Sequence, residues 1–228
     1  TPGVASWAVR EGRRFRPDAV LVGGEEQAGW WSARLAGRAD VPLIHCPFGV
    51  SDADAATDIG SINGVPAGWS VVLWWGGVWP WLDLDTLLAA RARLGRVPVS
   101  IVVPTAARPG GKLAQFTAND LNRMAARYAL SSPEVVPLEH WAPYNERHLV
   151  LNRAAVMAFL HRPSPEAELS FRTRAMDALW SVTPMLLSGG GEVARLAFRD
   201  LLAAAPPTPE QMRDVDFLLT GGELFATI

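Results

Sequence analysis

The chain has 228 residues, 21 basic and 23 acidic, for a net charge of −2. That length fits one large domain, or one domain plus part of another, and the balanced charge argues against a nucleic-acid surface, which calls for a basic excess. No apolar run approaches the length of a membrane span, and the charge-interrupted N-terminal stretch does not read as a signal peptide, so a cytoplasmic location is expected. Cys46 is the only cysteine, which leaves no internal disulfide and no zinc-type Cys pattern. His45, His140, His148 and His161 are scattered and read as structural, so no metal is expected. Ten tryptophans against two tyrosines is unusual, and Trp74, Trp75, Trp79 and Trp81 crowd together.

Residues 4–14 suit a short helix ending in Arg13 and Arg14. Asp18 to Val22 reads as a buried strand, and Gly23-Gly24 turns the chain into a helix from Glu25 to about Leu35. The acidic start of that helix, Glu25 and Glu26, complements the positive end of its dipole. Val41 to Cys46 is a second short strand, and Ser51 to Trp69, rich in Asp, Ala, Gly and Asn, reads as a surface loop. Ser70-Val-Val-Leu-Trp-Trp is a continuous apolar strand, as expected in a parallel sheet covered on both faces. It runs into Gly76-Gly77-Val-Trp79-Pro-Trp81-Leu-Asp83 and then a helix over about 84–94, capped by Asp83. A strand–glycine–helix junction lets backbone amides approach a diphosphate, because a Cβ would hold the ligand away. The spacing is neither GxGxxG nor a P-loop, and an unliganded tight turn with a tryptophan plug fits the same residues.

The alternation continues with a strand over 97–103, a loop carrying Arg108 and Lys112, and a helix over 118–129 capped by Thr117. Val135-Val136 is a strand, Asn145 to about Arg153 a helix, and Val156 to Leu160 a strand. Glu166 to Glu192 then packs an acidic lead-in, Arg172-Thr-Arg174, a helix, a strand over 183–188 and Gly189-Gly190-Gly191 into a short space. Arg172 and Arg174 suit phosphate charge through a bidentate fork. Asp177 lies three residues past Arg174 and shares its helix face, where a carboxylate suits a vicinal diol such as a ribose. An exposed, charged helix start reads the same way. Glu192 to Ala204 is a helix, and Thr208-Pro209-Glu210-Gln211 opens a last helix running to about Leu219. Strands alternating with helices predict an α/β fold: a Rossmann-like parallel sheet with helices on both faces.

Four motifs in register, Gly76-Gly-Val-Trp-Pro-Trp-Leu-Asp, Trp141-Ala-Pro-Tyr-Asn-Glu-Arg, Phe171-Arg-Thr-Arg-Ala-Met-Asp and Pro184 with Gly189-Gly-Gly-Glu, give a resemblance. The stretch from about 41 to 204 resembles the C-terminal, nucleotide-sugar-binding half of a GT-B glycosyltransferase of the retaining, family 4-like type. The resemblance implies residues 1–39 as the last strand and helix of an acceptor domain plus connector, 40–205 as the donor domain, and 206–228 as a C-terminal helix. It implies that Gly76 and Gly77 face the donor diphosphate and that Asp177 binds the ribose. Arg172 and Arg174 sit where phosphates approach and carry the catalytic role. Glu166, or Glu168, stands in for the acid that holds sugar hydroxyls, and Trp79, Gly189 and Gly190 complete the donor site. The chain departs from the family pattern in two places: Leu169 stands eight residues before Asp177, where a glutamate is usual, and Val182-Thr183 replaces a glycine-containing turn.

The expected activity is glycosyl transfer from a nucleotide-diphosphate sugar, without a cofactor or metal, to a sugar, lipid-linked or small-molecule acceptor. Peripheral membrane contact in the full enzyme fits this scheme. Two other readings stay open: a nucleotide-binding module without turnover, and a nucleotide-sugar epimerase of related fold.

Overall fold

The apolar runs in the middle of the chain assemble into one fully parallel sheet. The computed structural model describes residues 17–35, 40–49, 59–106 and 116–188. Five strands, β3 (Ser70–Trp74), β4 (Val99–Pro104), β5 (Val135–Leu138), β6 (Val156–Phe159) and β7 (Met185–Leu187), lie in the order β5-β4-β3-β6-β7. Leu73 in the central strand pairs with Val102 on one side and Met157 on the other. Because side chains alternate across a strand, the sheet feeds two cores. Val71, Leu73 and Trp75 join Val102 and Met157 on one face. Trp74 joins Ile101, Val103 and Ala158 on the other. A continuous apolar strand is thus required at β3, since neither face meets water.

Helices cover both faces. On the Trp74 side pack α2 (Leu84–Arg93), through Leu84, Leu87 and Leu88, and α3 (Ala118–Ala126), through Leu121 and Ala125. Both begin as the sequence predicts. Asp83 accepts the amide of Thr86 at 3.2 Å, and Thr117 and Asp120 cap each other reciprocally. Fully burying each leucine contributes roughly 1.5–3 kcal/mol. On the Leu73 side pack α4 (His148–Leu151) and α6 (Ala175–Trp180); the latter presents Ala175 and Ala178, small residues that let it lie close to the sheet. Between β6 and α6 sits one more short helix, α5 (Pro165–Leu169), capped by Ser164.

A smaller unit precedes this sheet. β1 (Val20–Val22) and β2 (Leu43–His45) pair in parallel, joined through α1 (Glu25–Arg34). The expected division after residue 39 therefore separates two strands that pair with each other; β2 belongs with β1 and not with the five-stranded sheet. Gln27 fastens the small unit to the large one. Its Oε1 accepts the amide of Gly23 at 2.9 Å, and its Nε2 donates to the carbonyl of Leu169 at 2.7 Å. The ring of Phe48 lies 4.8 Å from that of Phe171 and extends the same contact.

One predicted element differs in kind. In place of a helix from Asn145 to Arg153 the chain makes a 3-10 turn, Tyr144–Glu146, and the single turn of α4. At the break the Arg147 side chain folds back on the backbone. Its Nη1 donates to the carbonyl of Tyr144 at 2.6 Å, the acceptor an α-helix would offer to the amide of His148. Gly189, Gly190, Arg108, Lys112, the predicted helix at 4–14 and both helices beyond Glu192 lie outside the described residues. No helix among the described residues is long and apolar enough to cross a membrane.

Candidate functional site

In an open parallel sheet, ligands bind beyond the carboxyl ends of the strands, where the strand order reverses. Here the chain moves outward from β3 through β4 to β5, then returns to place β6 on the other side of β3. At this edge lies a cleft of about 220 Å³. Trp75 from the end of β3, Pro104 from β4 and Leu138 from β5 form part of its wall. Trp141 and Tyr144 add aromatic rings, and Arg147, Arg174 and Asp177 add charge. A lining that combines aromatic rings with a mixed set of charges suits a flat, apolar group attached to a polar, anionic one. A more open hollow of about 360 Å³ adjoins it and shares Ala106.

Arg174, just before α6, brings two of the predicted features together. A Cβ added to Gly76 would meet the Cδ of Arg174 at 3.5 Å and its Nε at 3.7 Å. The guanidinium stem therefore lies along the bare backbone of the glycine turn and reaches the cleft. Burial lowers the pKa of Arg174 and the Asp177 carboxylate opposes that shift.

Arg172 sits elsewhere. It is buried and donates from Nη1 to the carbonyl of Ser188 at 2.9 Å. Ser188 in turn accepts the amide of His161 on its Oγ at 2.8 Å. The side chain thus braces the carboxyl ends of β6 and β7, and it is not among the cleft's lining residues. Burial lowers Arg172 to about 10, so it stays a cation at neutral pH. Beside it, His161 is held down at about 4, first by burial and then by the Arg172 charge. His161 is therefore neutral near pH 7, and its buried Nδ1 meets no hydrogen-bond partner among the described residues.

Asp177 lines the cleft from the first turn of α6, but its carboxylate is already engaged. Oδ2 accepts the indole Nε1 of Trp75 at 2.8 Å, and Oδ1 accepts the Nε of Arg147 at 2.9 Å. Arg147 is fixed from both sides, with the ring of Tyr144 at 3.8 Å and that of Trp180 at 4.0 Å from its guanidinium carbon. Sequence reasoning quoted the motif that ends in Arg147 and gave that residue no role. The available signal was an arginine three residues past a tyrosine, in a segment rich in proline and aromatic residues.

Trp74, Trp79 and Trp81 shape the turn and are not among the cleft's lining residues. Trp79 and Trp81 stack with ring centroids 5.5 Å apart and planes 3° apart. A Cβ on Gly77 would fall 2.6 Å from the Nε1 of Trp79, so the stack requires a glycine there. Trp74 Nε1 donates to the carbonyl of Gly77 at 3.2 Å. The turn is then stitched to the exit of β6, where the amide of Asp83 donates to Leu160 and that of Arg162 to Trp81, both at 2.9 Å. Glu166 and Glu168 are exposed on α5, away from the residues that line the cleft. Among the described residues, no group of three or more His, Cys, Asp or Glu is placed to hold a metal ion.

No protein-family model matches the sequence, and no curated protein matches it. Solved structures do match the fold. One is sucrose-phosphate synthase from Thermosynechococcus elongatus, at a TM-score of 0.60 and 18% identity over 92% of this chain and 51% of that one. Another is α,α-trehalose 6-phosphate synthase from Burkholderia multivorans, at 0.60 and 15%, over 92% and 52%. A third is HepE from Anabaena in complex with UDP and glucose, at 0.55 and 16%, over 84% and 49%. The chain spans about half the length of these structures. At such low identity the likeness establishes the fold, a Rossmann-like α/β sheet of the kind found in GT-B glycosyltransferases.

Proposed function

We propose that this chain is the donor-binding part of a glycosyltransferase, taking a nucleotide-diphosphate sugar into the cleft at the sheet's carboxyl edge. The observation that carries this reading is Arg174, which lines a cleft with aromatic rings in its wall and also lies against the bare backbone of Gly76. A base fits between rings, a ribose reaches Asp177, and a diphosphate lies along the glycine turn against Arg174. The GT-B likeness supports the assignment, and one matched structure holds UDP and glucose.

In this reading transfer is retaining and needs no metal. The bond between the sugar's anomeric carbon and the β-phosphate oxygen breaks, and the acceptor oxygen bonds to that carbon on the same face. The acceptor's proton passes to the departing phosphate. The protein's part is electrostatic: fixed positive charge meets the negative charge that grows on the diphosphate. Arg174 supplies it directly, and Arg172 adds positive potential from beneath the sheet edge. Gly77 and Trp79 hold the turn in shape. The acceptor is a sugar, a lipid-linked or a small molecule.

A thermal-shift panel of UDP, GDP, ADP and dTDP, with and without EDTA, tests the binding claim. One nucleotide should raise the melting temperature, equally with EDTA; no shift from any of the four would defeat it. Release of free sugar or a glycosylated acceptor from the matching nucleotide sugar separates transfer from binding alone.

A further inference from the structure

We infer that Arg147 and Trp75 are positioning residues which fix the carboxylate of Asp177 and so make the cleft select ribose over 2-deoxyribose. The inference rests on the proposed nucleotide site and adds to it a pair of residues with a separable effect. Each oxygen of Asp177 takes one bond from the protein: Oδ2 from Trp75 Nε1 at 2.8 Å, Oδ1 from Arg147 Nε at 2.9 Å. The two donors come from different parts of the fold, one from the exit of β3 and one from the segment before α4. Rotation of the carboxylate would break both bonds, so its plane is set.

The clamp is itself held by further contacts. Arg147 is 7% exposed, its Nη1 is tied to the Tyr144 carbonyl at 2.6 Å, and its guanidinium is sandwiched between Tyr144 and Trp180. An ionised carboxylate offers about four acceptor sites, of which the clamp fills two. The Asp177 side chain keeps 23% of its exposure and lines the cleft. The remaining lone pairs are thus open to a ligand, at fixed positions. Two adjacent hydroxyls can each donate to one oxygen of such a carboxylate. Removing one hydroxyl leaves a charged acceptor short of a bond, which is where discrimination against missing hydroxyls arises. A freely turning carboxylate would follow the one remaining hydroxyl and discriminate less.

A purely structural ion pair would affect ribo- and deoxyribonucleotides alike, so the ratio of the two affinities is the informative quantity. Calorimetric titration of the full chain with UDP and dUDP, GDP and dGDP, and ADP and dADP supplies it. For the pair that binds most tightly, wild type should prefer the ribonucleotide by about tenfold or more, the effect of one hydrogen bond to a charged group. Arg147→Lys and Trp75→Phe should each bring that ratio to within about threefold. Trp75→Phe keeps an aromatic ring in the wall and guards against loss of the fold in the arginine variant. A ratio near one in wild type overturns the inference without any variant, as does a tenfold ratio that survives in either folded variant. If wild type binds none of the six nucleotides, the functional reading falls and this inference with it; binding without sugar preference removes only the inference.

Discussion

Replacing Arg147 by methionine breaks the ion pair with Asp177 and puts a neutral thioether where a cation stacks between two aromatic rings. The magnitude follows from burial. The Arg147 side chain is 8% exposed and that of Asp177 is 23% exposed, with Nε and Oδ1 2.9 Å apart. A fully exposed pair contributes roughly 0.2–1 kcal/mol, whereas breaking a buried one from one side costs about 3–5 kcal/mol. Stacking on Tyr144 and Trp180 adds about 0.5–1 kcal/mol for each ring. This pair lies between the limits and nearer the buried one, so Arg147→Met should cost about 3 kcal/mol. Urea unfolding of wild type, Arg147→Met, Asp177→Asn and the double variant gives the coupling energy, expected at about 1–2 kcal/mol. A loss below about 1 kcal/mol for Arg147→Met would refute the claim. So would an Asp177→Asn cost that is the same with and without Arg147.

Three further outcomes are expected. Gly77→Ala should lower the unfolding midpoint by the equivalent of roughly 1–3 kcal/mol through overpacking against Trp79, and Trp79→Ala in the same chain should relieve part of that loss; an additive pair would contradict the packing. Replacing Arg91 by methionine should cost about 2–4 kcal/mol by removing three hydrogen bonds made by a charged group, because this 2%-exposed side chain donates to the carbonyls of Val99, Gly95 and Val97. His161 is held at about 4 in the folded chain against an ordinary 6.5. The unfolded chain therefore binds the proton first on acidification, so this contribution is complete above about pH 6.5 and is lost as pH falls through 4. His161→Asn should flatten the decline in urea midpoint between those values, and an unchanged slope would count against the buried neutral imidazole.

Much of the sheet was legible because its strands are continuous apolar runs. Ser70 to Trp74 feeds two cores, and only a strand covered on both faces has that composition. The caps at Asp83 and Thr117 were legible because an acceptor side chain three residues before an orphan amide is local chemistry. Pairing was not. Nothing in Val41 to Cys46 states that it joins β1 and not the larger sheet, since partner choice depends on contacts distant in sequence. The broken helix at 144–151 coincides with contacts distant in sequence: Arg147 pairs with Asp177 and also donates to the Tyr144 carbonyl. At the site, spacing put Arg174 and Asp177 on one helix and glycine chemistry marked Gly76. That Arg174 lies on Gly76, while Arg172 turns away to brace Ser188, is set by the packing of α6 on the sheet.

The central claim is that a cation beside a bare backbone turn grips a pyrophosphate, and titration of Arg174→Ala tests it most directly. With whichever nucleoside diphosphate stabilises wild type, the variant should bind about tenfold or more weakly, since a charge-assisted contact is lost. It should bind the bare nucleoside as wild type does. Equal affinity of the two proteins for the diphosphate would contradict the account.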